Sequence, residues 1–283
     1  MAIENVSDTA RWVAVYRAME TVRPDAIFRD PFADRLAGQR GRDILDAMPK
    51  GRAWAWPMIV RTAVFDEIIL DAVQNRQADL VINLAAGLDA RPWRLPLPPS
   101  LHWVDVDFPG ILNYKTETLR GETPVCRYEA VTADLTDAPA RQALFSRLGA
   151  GASRALVISE GLLVYLAPEQ VAALATDLHA QPSFAEWLID LASPQLLKRM
   201  SRTWGKNLAA SGAPFRFAPA EGTELFRAYG WREAQFRSMW EEAKRLHRTM
   251  KGAGFWNLIA RLYPRKVREK FRRFSGLVLL ERE

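Results

Sequence analysis

The stretch Leu80-Val81-Ile82-Asn83-Leu84-Ala85-Ala86-Gly87 decides how this chain is read. A short apolar run enters a turn of small residues, as a strand buried on both faces of a parallel sheet does. Working outward, the same figure recurs. A second strand fits 101–106, LHWVDV, closed by Asp107-Phe108-Pro109. A third fits 125–133 and ends at Asp134-Leu135, and a fourth, Ala155 to Ser159, ends at Glu160-Gly161. Phe184 to Leu191 gives a fifth. Helices are predicted over 110–120, over 138–148 and from near Pro168, a residue suited to a first helical position. Such alternation implies a doubly wound α/β fold with a mostly parallel sheet.

The flanks fit around this core. Trp12, Val15, Tyr16 and Met19 recur at helical spacing, Arg29-Asp30-Pro31 marks a turn, and 58–74 reads as a helix. Residues 1–75 are therefore expected to form a helical cap on a core running over 76–283, the two making one compact unit. Further on, 194–211 looks helical and basic, and 222–230 looks like another helix. Strands at 231–238 and 275–283 would bring the sheet to seven, with a basic helical insertion at 239–273 before the last.

Composition limits the alternatives. Of 283 residues, 49% are hydrophobic and 25% charged, which suits a sizeable globular core. No apolar run is long enough to span a bilayer, and MAIENVSDTARW lacks the basic and apolar regions of a secretory signal. A cytosolic protein is expected. Cys126 has no partner for a disulfide or thiolate site, and His102, His179 and His247 lie far apart, so no metal is expected. The net charge of +6 is concentrated late, with Arg261, Arg265, Lys266, Arg268, Lys270, Arg272 and Arg273 against Glu269 alone. A solvated helix face is the first reading of that cluster, and an anionic partner the second.

In open α/β sheets, ligands bind at the carboxyl ends of the strands. There the predicted strands deliver Ala86-Gly87 with Asp89 close behind, then Asp107, Asp134 and Glu160. A nicotinamide dinucleotide brings a pyrophosphate, which wants a fuller glycine fingerprint and no adjacent negative charge. The turn here reads A-A-G-L-D-A, and Asp89 would repel a phosphate. S-adenosylmethionine instead presents a sulfonium, an ammonium, ribose hydroxyls and an adenine amine, all of which carboxylates can meet. Its one anion, a carboxylate, would suit Arg17, Arg61 or Arg91. Asp107 follows Gly87 by about twenty residues, the separation that places an acid on ribose hydroxyls in such folds. The acidic edge favours the methyl donor.

Four motifs then resemble one methyltransferase group. They are Ala86-Gly87-Leu88-Asp89-Ala90-Arg91, Val104-Asp105-Val106-Asp107-Phe108-Pro109, Ala133-Asp134-Leu135 and Glu160-Gly161-Leu162-Leu163-Val164-Tyr165-Leu166. With Arg29-Asp30-Pro31-Phe32-Ala33 and Arg61-Thr62 upstream, they are similar to the leucine carboxyl methyltransferase and polyketide O-methyltransferase family. The resemblance runs from about residue 9 to 190 and weakens beyond, where acceptor specificity is expected. It implies a class I, Rossmann-like methyltransferase that converts S-adenosyl-L-methionine to S-adenosyl-L-homocysteine. It also implies that Arg61 holds the methionyl carboxylate, with Arg17 as a second contact, and that Ala86 and Gly87 lie under the methionyl part. Asp107 would accept from the ribose, Asp134 from the adenine amine with the Leu135 backbone beside the ring, and Glu160 would face the amine or reacting centre. The family often carries more glycine than Ala85-Ala86-Gly87 in this first loop.

Methyl transfer is an in-line displacement that asks the protein to align two partners and exclude water. An acidic oxygen needs little base catalysis, whereas an aliphatic hydroxyl needs a positioned base. His102 and His179 are predicted at the wrong edge of the sheet, leaving His247 as the one histidine able to reach the site. This favours a carboxylate or acidic hydroxyl acceptor, with Glu160 and Tyr165 as the candidate catalytic residues. Trp54 and Trp56, and an apolar lid of Met239, Trp240, Phe255, Trp256 and Leu262, are candidates to line its pocket. The family's acceptors include protein C-terminal carboxylates and small polyketide acids or phenols, and the small, largely apolar molecule ranks first here. Two other classes stay open: an RNA methyltransferase or binding module using 261–273, and a donor-binding subunit without turnover. Only Tyr263 and Phe271 in that segment offer stacking surfaces, so nucleic acid is not the expected partner.

Overall fold

A computed structural model describes residues 6–48, 50–210, 214–250 and 263–283. Seven strands form one sheet: β1 (Leu80–Leu84), β2 (His102–Asp107), β3 (Arg127–Thr132), β4 (Ala155–Ser159), β5 (Phe184–Ala192), β6 (Trp231–Ser238) and β7 (Ser275–Arg282). Their order is β3-β2-β1-β4-β5-β7-β6. The first five are parallel, and β7 runs antiparallel to both β5 and β6. The chain leaves β1 towards β2 on one side and later returns to β4 on the other, which opens a crevice at the carboxyl edge.

Among the described residues the α-helices are α1 (Val6–Thr21), α2 (Ala33–Ala47), α3 (Ala55–Gln74), the single turn α4 (Arg91–Arg94), α5 (Pro109–Thr118), α6 (Ala138–Ala150), α7 (Pro168–His179), α8 (Pro194–Ala210), α9 (Met239–Arg245) and α10 (Arg265–Arg272). Local chemistry starts several of them. Pro109 and Pro168 stand at first helical positions, and the Asp137 side chain caps α6 by accepting the Ala140 N–H.

Alternation along the strands divides the core in two. On one face Leu80, Ile82, Leu84 and Val157 pack with Phe145 of α6 and with Leu174 and Leu178 of α7. On the other, Val81, Leu156 and Ile158 meet Val60, Val64, Phe65 and Ile68 of α3 and Met239 of α9. Each such buried branched side chain stabilises the fold by about 1.5–3 kcal/mol. Thus α3 is itself one of the sheet's covering helices, while α1 and α2 pack over the β1 turn through Leu36, Leu88 and Ala90. The insertion is tied to α1 by a buried pair, Arg248 donating to both oxygens of Glu20 at 2.7 and 3.0 Å.

The helix expected over 222–230 is a 3-10 helix over Gly222–Tyr229, whose apolar residues recur at i, i+3. Among the described residues of the expected insertion are two short helices, α9 and α10, while Phe255, Trp256, Arg261 and Leu262 lie outside the described residues. Among the described residues, no helix is long and apolar enough to cross a membrane.

Candidate active site

A cavity of about 1320 Å³ opens at the carboxyl edge of the sheet. Pockets for one small ligand usually hold about 300–1,000 Å³, so two reactants can share this one. Its floor is made by the turns after β1 to β5. Arg17, Arg61, Ala86, Gly87, Asp107, Asp134, Leu135, Glu160 and Tyr165 all line it.

The β1 turn is shaped by two left-handed residues, Ala85 at φ 52° and Gly87 at φ 53°. At Gly87 a Cβ would meet the Ala10 Cβ of α1 at 3.0 Å, so glycine is required for conformation and for room. Ala85 bears the strain that a glycine would relieve, on the order of 1–2 kcal/mol. The Gly87 N–H donates to Asp107 Oδ2 at 2.7 Å, and the Phe108 N–H donates to Oδ1 at 2.7 Å. Burial raises the Asp107 pKa in spite of these two bonds. Each oxygen keeps acceptor capacity beyond its backbone bond.

Asp134 lies just past β3. Its Oδ1 accepts the Thr136 N–H at 2.8 Å and the Thr136 hydroxyl at 2.7 Å, a turn that fixes the carboxylate at the rim. The Leu135 carbonyl is held by Arg141 Nη1 at 2.5 Å.

Beyond Asp107 the acids and arginines form a continuous ladder. Arg17 Nε donates to Asp30 Oδ2 at 2.8 Å, and Arg94 Nε lies 3.8 Å from the same oxygen. Arg94 makes two bonds to Asp66, each 2.7 Å, and Arg91 Nε donates to Asp66 at 2.6 Å. Arg91 Nη1 reaches Asp89 at 2.5 Å and Glu160 Oε2 at 2.8 Å. Arg61 takes the other Glu160 oxygen through Nε at 3.0 Å and Asp190 through Nη1 at 3.0 Å. No side chain in the ladder is more than 24% exposed. Four guanidiniums thus face five carboxylates, leaving one net negative charge beside the β1 turn. Burial opposes the charge on Arg61 and Arg91, but the facing carboxylates outweigh it and raise both pKa values. Burial likewise works against Asp89, yet Arg91, Lys115, Arg94 and Arg17 hold it at about 2.

This arrangement refines the expected roles. Arg91 donates to Asp66, Asp89, Glu160 and the Thr62 carbonyl, and Arg17 donates through Nε to Asp30 and through Nη2 to the Leu88 carbonyl. Arg61 keeps Nη2 without a protein acceptor among the described residues. Asp190 and Asp66 escaped sequence reading. Asp190 lies inside β5 rather than after it, and also accepts the Gly161 N–H at 2.6 Å.

Gly161 links these parts. Its φ is 68°, and a Cβ there would stand 3.0 Å from Arg61 Nη1, an atom already fixed by Asp190. Gly161→Ala is therefore expected to cost about 1–2 kcal/mol of stability, from the left-handed backbone alone. It should also displace the Arg61 fork. Urea denaturation measures the first effect, and a stability matching the parent chain would show that the loop relaxes freely.

The outer part of the cavity is aromatic. Trp56 meets Trp240 edge-on at 6.0 Å, Tyr165 stacks on Phe215 at 5.6 Å, and Trp54 and Phe217 complete the wall. Burial pushes the Tyr165 hydroxyl up to about 12. The histidines stand apart. His102 pairs with Glu129 at 3.0 Å at the starting end of β2, His179 lies edge-on to Trp231, and His247 is not among the lining residues. His247, the one histidine that the sequence left able to reach the site, is thus off the cavity lining, beside the buried Arg248–Glu20 pair that holds this segment to α1. Cys126 is buried, with its thiol pushed up to about 11. Among the described residues, no group of three or more His, Cys, Asp or Glu is placed to hold a metal.

This strand order, with an antiparallel β7 beside β5, defines the class I methyltransferase fold. The chain belongs to the leucine carboxyl methyltransferase family, whose model matches residues 10–179. A Mycobacterium avium protein, named by inference as an S-adenosyl-L-methionine-dependent methyltransferase, is 30% identical over 81% of this chain and 82% of its own length. A similarly named Mycolicibacterium smegmatis protein is 35% identical over 62% of this chain, and the match spans 63% of that relative's length. Two solved structures share the fold. One is a DUF574 family protein from Streptomyces avermitilis, with TM-score 0.58, 14% identity and coverage of 95% of this chain and 97% of the other. The second, from Thermobifida fusca, has TM-score 0.59, 13% identity and coverage of 100% and 96%.

Proposed function

We propose that the chain is an S-adenosylmethionine-dependent O-methyltransferase acting on a carboxylate or acidic hydroxyl of a small, largely apolar acceptor. The observation that carries this reading is one cavity with an acidic inner end and an aromatic outer end. The inner chemistry fits the donor. Asp107 would accept from the ribose hydroxyls, Asp134 from the adenine amine, and Arg61 Nη2 would hold the methionyl carboxylate. The net negative ladder favours a cationic ligand beside Gly87 and Glu160.

When bound, the donor supplies a methyl group on a sulfonium, so that a C–O bond forms as the C–S bond breaks and the electron pair stays on sulfur. The chain's own part is alignment and exclusion of water. Glu160, with both oxygens taken by guanidiniums, orients Arg61 and Arg91 rather than taking a proton. Tyr165, protonated up to about 12, donates a hydrogen bond instead of serving as a base. With no histidine on the cavity wall, the acceptor oxygen arrives already ionised. The basic segment gives less support to nucleic acid. Arg272 and Arg273 are engaged by Glu241 and Glu233 at 2.9 and 2.7 Å, while Arg265 and Arg268 face the cavity.

Labelled-donor assays with small aromatic and aliphatic acids test the reading. A carboxylate titrates near pH 4, so its methylation rate should stay flat between about pH 6.5 and 8.5. His247→Ala should leave turnover within a few-fold. An ionisation near pH 6.5 that vanishes in that variant would mean a histidine base and a weakly acidic hydroxyl.

A further inference from the structure

The outer end of the cavity carries a charge that the methyl-transfer reading does not use. Arg199 of α8, Lys244 of α9, and Arg265 and Arg268 of α10 all line it. None of the four has an ion-pair partner among the described residues. Their neighbours do: Arg245 meets Glu67 at 2.8 Å, Arg237 meets Glu242 at 2.7 Å, Arg272 meets Glu241 at 2.9 Å and Arg273 meets Glu233 at 2.7 Å. In a region where carboxylates compensate most arginines, four uncompensated cations line the same cavity. Of the two acids of α9 and α10 that line it, Glu241 is held by Arg272, and Glu269 sits at 3.9–4.0 Å from Arg272 and Arg273. The cavity is therefore polarised, with net negative charge at the strand turns and net positive charge on α8, α9 and α10. Trp54, Trp56, Phe215 and Trp240 line it as well, and the Arg199 guanidinium lies 5.6 Å over the Trp54 ring.

Resting on the acceptor reading above, we infer that the acceptor carries a second anionic group, separated by an apolar body from the oxygen that is methylated. That group, a carboxylate or a phosphate monoester, lies against Arg199, Lys244, Arg265 and Arg268. The apolar body fills the aromatic section, and the first oxygen is directed to the donor end. A plain monoanion is drawn to the rim as readily as to the reaction centre, so the second charge settles which end enters first. Arginine suits either anion, because its planar fork binds both.

The test is calorimetric titration of the protein saturated with S-adenosylhomocysteine, using matched long-chain monocarboxylates, their α,ω-dicarboxylates and their ω-phosphorylated counterparts. Partly exposed ion pairs contribute modestly, so two or three of them should favour a doubly charged probe by about tenfold. That preference should fall with added salt and disappear in the Arg265→Gln, Arg268→Gln double variant, whose affinity for S-adenosylhomocysteine checks its folding. A preference confined to the phosphorylated probes supports the inference and names the group as phosphate. Equal affinities for singly and doubly charged probes overturn it, as does a preference untouched by the double variant, whether or not any probe is methylated. If the charge preference holds but no ester forms with labelled donor, the carboxylate reading falls and the anion-binding rim stands.

Discussion

Arg91→Leu is expected to destabilise the fold by about 3–5 kcal/mol, the cost of removing one partner from a buried ion cluster. The leucine is close in volume to the lost stem, so packing is not the main loss. The loss comes from Asp66, Asp89 and Glu160, which all accept from Arg91 and would be left with excess charge in a nearly dry site. Urea denaturation measures the change directly. A loss under about 1 kcal/mol, the range of exposed pairs, would mean that water already penetrates the ladder. The acid limb of stability follows from the same residues. Asp89 titrates at about 2 when folded, against 3.8 ordinarily, so the unfolded chain takes up the proton first as pH falls. Its contribution, about 2 kcal/mol, is present above pH 4 and is lost on acidification towards pH 2. In Arg91→Leu the folded pKa of Asp89 should rise, so this acid-sensitive contribution should shrink.

Asp107→Ala should weaken binding of S-adenosylmethionine and its demethylated product by about ten- to a hundredfold, as hydrogen bonds to a charged group contribute about 1.5–3 kcal/mol. On the proposed reading the change removes the acceptor for the ribose hydroxyls, and it also releases the Gly87 N–H, so the β1 turn loses a constraint. Asp107→Asn keeps an acceptor oxygen for Gly87 and should recover part of the affinity. Calorimetric titration of both variants gives the dissociation constants. An unchanged constant in Asp107→Ala would remove this carboxylate from the donor site.

The fold was legible where burial leaves a strand no polar face. Leu80–Leu84 and Ala155–Ser159 are each buried at every position, and their bounds match the sequence expectation. The acids following β1 to β4 were legible for a related reason, since a carboxylate just past an apolar run has few other places to go. Asp190 and Asp66 were not. Each lies within an apolar element, and its solvation comes from arginines 129 or 25–28 residues away in sequence. Charge pairing over such distances leaves no local period to detect. Glu160 shows the complementary limit: its place at the edge was readable, but its engagement by two guanidiniums depends on α3 and α4 meeting there. The insertion was the least readable part. Short basic helices satisfy a solvent face and a cavity rim with the same residues, and only packing separates the two.

The position of β7 bears on how the molecule comes into being. During synthesis β5 is complete at Ala192, yet the strand that pairs with its outer edge begins at Ser275, after β6 has already been made. For that interval the growing chain holds Trp187, Leu188 and Ile189 on a strand with one side of its backbone unpaired. An open apolar edge of this kind is where a nascent chain is most exposed to mispairing with its neighbours. Translation speed and chaperone access across residues 193–275 should therefore govern yield more than changes within the cavity do. The segment that delays closure is the same one that brings Arg199, Lys244, Arg265 and Arg268 to the cavity wall.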